Sequence, residues 1–106
     1  MAKSAVNLTA AEDVVNSFGI DSQGTGAVFQ FSGTWVGTIT FEAKVRGAAS
    51  TKFTAIIATN AATLVSATTT AANGIFRVVG DGLDVRARMS AFTSGTAVAD
   101  SSDVEV

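Results

Sequence analysis

Carboxylates and cationic side chains are the leading candidates for chemistry in this chain, because the absence of histidine and cysteine removes most hydrolase mechanisms. Zinc sites of ordinary ligands, Ser-His-Asp triads and thiol nucleophiles are therefore out of reach. Two acidic clusters remain, Glu12 beside Asp13, and Asp81 with Asp84 in "GDGLD". A glycosidase needs two carboxylates at a set separation across a cleft, which a small sandwich rarely provides. "GDGLD" offers oxygens to a Ca²⁺ ion but lacks the alternating acidic positions and distal glutamate of a dedicated loop. Asp and Gly are also what a tight hairpin turn demands, and that is the reading taken. "GTG" at 24–26 is too short for a phosphate-binding fingerprint and precedes a strand. The expectation is a protein that is not an enzyme and uses no cofactor or metal.

The cationic residues fall in pairs. Lys44 and Arg46 share one strand face and Arg86 and Arg88 another, with Glu42 and Asp84 in the same rows. Mixed rows and a net charge of -2 argue for cross-strand ion pairing rather than a nucleic-acid surface. Trp35 is the only tryptophan, and there is no tyrosine to join it in a sugar-binding platform. It lies in register with Ile39 and Phe41, so it reads as a core anchor whose N–H seeks a backbone acceptor. The carbohydrate platform stays as the alternative.

These side chains need strands to hold them. In "WVGTITFEAKV" residues Trp35, Gly37, Ile39, Phe41, Ala43 and Val45 alternate with Val36, Thr38, Thr40, Glu42 and Lys44, the period of a half-buried strand. "LDVRARMSAF" repeats it, with Leu83, Val85, Ala87, Met89 and Ala91 on the apolar row. Phe92 falls on the polar row, which predicts a strand end or a bulge there. Other strands are shorter. Phe29 and Phe31 face inward with Ala27, Phe53 and Ile57 with Ala55, and Phe76 with Val78, leaving Arg77 to solvent. Val6 and Leu8 make a weak first strand, and "TAVAD" with "VEV" a weak last one. Glycine-bearing turn signals lie at 22–26, 32–33, 46–50, 73–74, 80–82 and 94–96. "TAAEDVVNSF" is a minority helix candidate with Thr9 and Glu12 as a capping box.

The pattern predicts an all-β fold, a single-domain antiparallel β-sandwich, jelly-roll or Ig-like, with long loops. At 106 residues there is room for one domain, 1–106, with a possible N-terminal arm at 1–5 and C-terminal tail at 99–106. No apolar run reaches the ~20 residues of a membrane-spanning helix, and the opening residues lack a secretory signal's apolar stretch. Only 15% of residues are charged and mean hydropathy is positive, which favours burial against copies or partners. Residues 58–74 are uncharged and rich in Ala and Thr, the composition of an edge strand with loops. A threonine ice-binding array would need regular spacing, and 68–70 are consecutive.

"LTAAEDVV", "GTGAVFQFSGTWVGTITFEAKVRG", "KFTAI" and "NGIFRVVGDGLDVRARMSAFTSGTA" occur in the order seen in small bacteriophage virion proteins. There "SGTWxGTxTFEASVDG" precedes "W/FTAI/V" and "VRVRxTAxTSGTxxV". Over most of residues 7–98 the chain resembles that set of β-sandwich modules, which serve as capsid decoration (cement) proteins or as parts of tail and receptor-binding assemblies. "KVRG" stands where the pattern has "SVDG", and the ending "ADSSDVEV" departs from its closing strand. A frame starting at Met1 at domain length suggests a free-standing protein. The resemblance implies a phage head decoration protein, located in the virion and assembled in the host cytoplasm. It would be homotrimeric, bound non-covalently to the major capsid protein, with no nucleic-acid or membrane partner. The alternative is a tail, fibre or baseplate adhesin module binding host glycans through loops 46–52 and 58–74. The termini supply the expected capsid contacts, Lys3, Val6, Leu8, Val104 and Val106, while Trp35, Phe41, Phe29 and Phe31 are the expected core anchors.

Overall fold

The computed structural model describes residues 3–16, 26–45, 47–79 and 83–104, and among them the only helical segment is one 3₁₀ turn, Ser50–Lys52. The described residues form eleven strands in chain order: β1 (Lys3–Leu8), β2 (Val14–Asn16), β3 (Gly26–Ser32), β4 (Trp35–Val45), β5 (Thr54–Ala55), β6 (Ala58–Asn60), β7 (Ser66–Ala67), β8 (Thr69–Thr70), β9 (Gly74–Val79), β10 (Leu83–Gly95) and β11 (Ala97–Val104). They form two antiparallel sheets, one ordered β1-β11-β3-β9-β6-β7 and the other β2-β10-β4-β5, with β8 also paired to β4. Consecutive strands lie in different sheets at β1 to β2, β2 to β3, β3 to β4, β5 to β6, β7 to β8, β8 to β9, β9 to β10 and β10 to β11. The result is the all-β single-domain sandwich that the alternation predicts.

The core lies where the inward rows meet. Ala27, Phe29, Phe31, Phe76 and Val78 of the first sheet face Ile39, Phe41, Val85, Ala87 and Met89 of the second, all buried. Four rings interlock: Phe41 lies 5.3 Å from Phe76, Phe76 5.8 Å from Phe31, and Phe29 stacks on Phe31 at 6.3 Å. Burying each side chain contributes about 1.5–3 kcal/mol. Phe29, Phe31 and Phe41 are therefore the core anchors expected of them.

The predicted irregularity at Phe92 is a double bulge. Pairing of β10 with β4 shifts between Met89 and Ala91 and again between Phe92 and Ser94. The extra residue Ser90 inverts the facing of the residues after it, so Phe92 comes to lie opposite Gly37 and packs on the core, while Ala91 is exposed. Gly37 permits this: a Cβ there would stand 2.4 Å from the Ala91 carbonyl oxygen.

Three expectations are corrected. Residues 9–13 form a turn rather than the start of a helix. The Asp13 carboxylate accepts the Thr9 and Ala10 N–H groups at 2.9 and 3.1 Å, and the Glu12 N–H and Asp13 carbonyl pair with the backbone of Met89. Tertiary pairing to β10 thus takes the backbone groups that a helix would use. In "KFTAII" the phase is reversed after the two-residue β5: Ile56 packs on the core, Ile57 is exposed, and so is Ala55. The chain leaves one sheet for the other here, which breaks the alternation. Finally, residues 3–5 and 99–104 are not an arm and a tail but parts of the paired strands β1 and β11, with Lys3 opposite Ser102 and Leu8 opposite Ala97.

Candidate functional site

The outer face of the second sheet carries the charged rows. Arg86 lies opposite Glu42 and Asp84 opposite Lys44. Arg86 Nε donates to Glu42 Oε1 at 2.8 Å, Arg88 donates to Glu42 Oε2 from Nε at 3.1 Å and lies within 3.0 Å through Nη2, and Arg88 Nη1 reaches Glu12 Oε2 at 2.7 Å. Lys44 Nζ donates to Asp84 Oδ2 at 2.5 Å. The expected cross-strand pairing is present, but it is drier than a solvated sheet face. Glu42 is 7% exposed and Asp84 5%, and the Gly47 N–H reaches Asp84 Oδ2 at 3.4 Å. Phe53 lies 3.8 Å from the Arg86 guanidinium and 5.4 Å from Lys44 Nζ, in cation–π range. Burial works to raise the Glu42 pKa, yet the hydrogen bonds and charges of Arg88 and Arg86 outweigh it and hold the carboxyl below its ordinary value. The bond to Glu42 likewise raises the Arg88 pKa.

This arrangement consumes the acidic candidates. Glu12 and Asp84 are ion-paired and Asp13 caps its own turn, while Asp81 and Arg46 lie outside the described residues. Asp84 Oδ1 is buried without a hydrogen-bond partner. Among the described residues, no group of three or more potential ligand side chains could hold a metal ion, and no helix is long and apolar enough to cross a membrane.

Trp35 sits at one end of the sandwich, where three glycine-bearing turns converge. It is half-buried against the core, and its Nε1–H donates to Asn73 Oδ1 at 2.6 Å, while Asn73 Nδ2 donates to the Gly33 carbonyl at 2.9 Å. The expected backbone acceptor is thus replaced by a side-chain amide from the "NG" turn. The Gly33 and Gly95 turns meet through the Thr96 N–H, which donates to the Thr34 carbonyl at 2.9 Å, and both glycines have φ near +90°. A shallow hollow of about 270 Å³ opens here, lined by Gly33, Thr34, Trp35, Ala71, Ala72 and Asn73. Trp35 is accordingly an anchor of the turns as well as of the core.

The most unusual surface is the edge built by β5 to β8. From Thr54 to Ile75 no residue is charged, and large apolar side chains stand in solvent: Ile57 at 61%, Leu64 at 76% and Val65 at 63% exposure. Asn60 shapes the β6–β7 turn by accepting the Ala62 and Thr63 N–H groups at 2.8 and 3.1 Å. Leu64 then adopts φ +62°, a conformation that disfavours a side chain of its size. Beside it an open groove of about 320 Å³ is lined by Ala58, Asn60, Thr63, Val65, Ala67, Thr69 and Phe76. The uncharged composition is legible in the sequence; the projection of Leu64 is not.

The expected capsid contacts divide. Leu8 is completely buried, a core residue and not a contact surface, because Leu8 and Ala97 form an inward pair. Val6 is partly buried against the core. Lys3 lies in β1 and Val104 in β11 opposite Gly26, while Val106 falls outside the described residues. Strand β1 is the outermost strand of its sheet, at the opposite edge from β7.

No family model matches the chain, and no curated protein matches it. Among solved structures, the crystal structure of SPBc2 prophage-derived protein YomS is similar, with a TM-score of 0.65 and 16% identity over 95% of this chain and 94% of that chain. At that identity the likeness shows a shared fold across nearly the whole length of both chains.

Proposed function

We propose that this protein is a structural component of a phage virion, a decoration protein that binds non-covalently to the major capsid protein and stabilises the head. The observation that carries the reading is the uncharged edge from Thr54 to Ile75, where Ile57, Leu64 and Val65 stand exposed with no charge among them. Such a surface gains free energy by burial under protein. The fold shared with a prophage-derived protein and the strand grammar of small virion proteins support the phage setting. The role is attachment and not catalysis. Its partners are the major capsid protein and further copies of itself, three to an assembly, and it acts in the virion head assembled in the host cytoplasm. The capsid contact takes in this uncharged edge, and the β1–β11 side, with Lys3, Val6 and Val104, is a second contact surface. Many small contacts repeated over a shell would resist internal pressure through multivalency.

Saturation binding of labelled protein to isolated heads and isolated tails tests this. Saturable binding to heads with none to tails is expected, and the reverse preference would overturn it. The half-buried Trp35 beside the Asn73 hollow favours a second reading, a tail or fibre module that binds host glycans. Saturable binding on a glycan array that is lost in Trp35→Ala would select that reading.

A further inference from the structure

We infer that Asn73 is a modification site of this chain, an asparagine that becomes aspartate or isoaspartate by attack of the following amide nitrogen, and that Trp35 and Gly33 hold it in check. The inference goes beyond the attachment role and does not depend on it.

The sequence supplies the reacting groups. Of the four asparagines, Asn7, Asn16, Asn60 and Asn73, only Asn73 is followed by glycine. Gly74 has no Cβ to hinder its nitrogen, and asparagine is among the thermolabile residues. The Gly74 nitrogen gives its proton to hydroxide and bonds to Asn73 Cγ, the Cγ–Nδ2 bond breaks, and ammonia leaves a five-membered imide behind. Water then opens the ring at Cγ to give aspartate, or at the Asn73 main-chain carbonyl to give isoaspartate. No oxidant or reductant takes part. The fold opposes the first step. Asn73 is exposed and lies just before β9, with both ends of its amide engaged: Oδ1 accepts from Trp35 Nε1 at 2.6 Å and Nδ2 donates to the Gly33 carbonyl at 2.9 Å. Ring closure draws Cγ toward the Gly74 nitrogen and expels Nδ2, so it runs against both hydrogen bonds. The product cannot restore them. A carboxylate oxygen in place of Nδ2 sets two acceptors face to face at Gly33. It also puts a negative charge into the stretch from Thr54 to Ile75, which otherwise has none. Isoaspartate further lengthens the main chain by one carbon at the turn that anchors Trp35.

The test holds the unaltered chain and Trp35→Phe at mildly alkaline pH, folded in buffer and unfolded in guanidinium, and follows conversion at each asparagine by peptide mass spectrometry. Trp35→Phe keeps an aromatic ring at the site and removes the N–H donor. In guanidinium Asn73 should convert ahead of the other asparagines in both chains. In the folded unaltered chain it should convert about tenfold more slowly or less, and in folded Trp35→Phe about fivefold faster than that, one hydrogen bond having been lost. Asn60 is the internal control, since its Oδ1 accepts the Ala62 and Thr63 N–H groups and not an indole. Its rate should be the same in both folded chains. Equal Asn73 rates in the two folded chains, or a folded rate equal to that in guanidinium, overturns the inference. So does an Asn60 rate that rises in step with Asn73, which would mean general loosening and not a released clamp. If Trp35→Phe does not fold, the comparison of folded with unfolded unaltered chain still decides, together with Asn73→Asp. That variant carries the aspartate product and should lower the thermal midpoint and shift Trp35 emission; an unchanged midpoint and spectrum would overturn the inference.

Discussion

Glu42 holds a carboxylate out of water on a sheet face that alternation alone would leave wet. Two arginines answer it, and Phe53 closes over one of them. Replacing it by glutamine leaves Arg86 and Arg88 short of a charged partner in a covered site, so Glu42→Gln should cost about 2–4 kcal/mol at neutral pH by chemical denaturation. The pH dependence has a definite sign. The folded pKa of Glu42 is depressed below 4.5. Its contribution is therefore fully present above about 4.5 and lost as pH falls through the lower folded value. The unaltered protein should lose stability on acidification through that window more steeply than Glu42→Gln; parallel curves would mean that the ion pairs add nothing. The pairing itself is legible in the sequence from the mixed signs on the two rows. Its burial is not, because no local pattern places Phe53 over the Arg86 guanidinium.

Strands β3, β4, β9 and β10 can be read from period-two alternation because each has one face on a common core. Where an element is too short or changes sheets, the signal fails. Strand β5 has two residues before the chain crosses, and the inward position passes from Ile57 to Ile56. In β10 the misplaced Phe92 announces a bulge, and only the structure shows that Gly37 makes room for it. Gly37→Ala should therefore cost more than about 2 kcal/mol, since its Cβ would meet the Ala91 carbonyl at 2.4 Å; a shift in melting temperature of a degree or less would contradict that packing. Val6 and Leu8 alternate too weakly to separate a strand from an arm, and the pairing with β11 decides it. Deleting residues 1–5 removes the partners of Ser102, Ser101 and Asp100. It should lower the thermal midpoint as well as weaken head binding, and an unchanged midpoint would restore the arm.

At the scale of the whole molecule, the two outer edges of one six-stranded sheet differ in character. Strand β1 lies beside β11 at one edge, and the uncharged β6–β7 hairpin forms the other. On the decoration proposal, a small domain repeated over a shell would tie many subunits together without any reactive group. Electron cryo-microscopy of phage particles produced with and without the gene tests the decoration proposal most directly. The decoration proposal predicts additional density on the outside of the head, fitted by this sandwich and absent from particles lacking the gene. Density confined to the tail, or heads that are the same in both preparations, would contradict it.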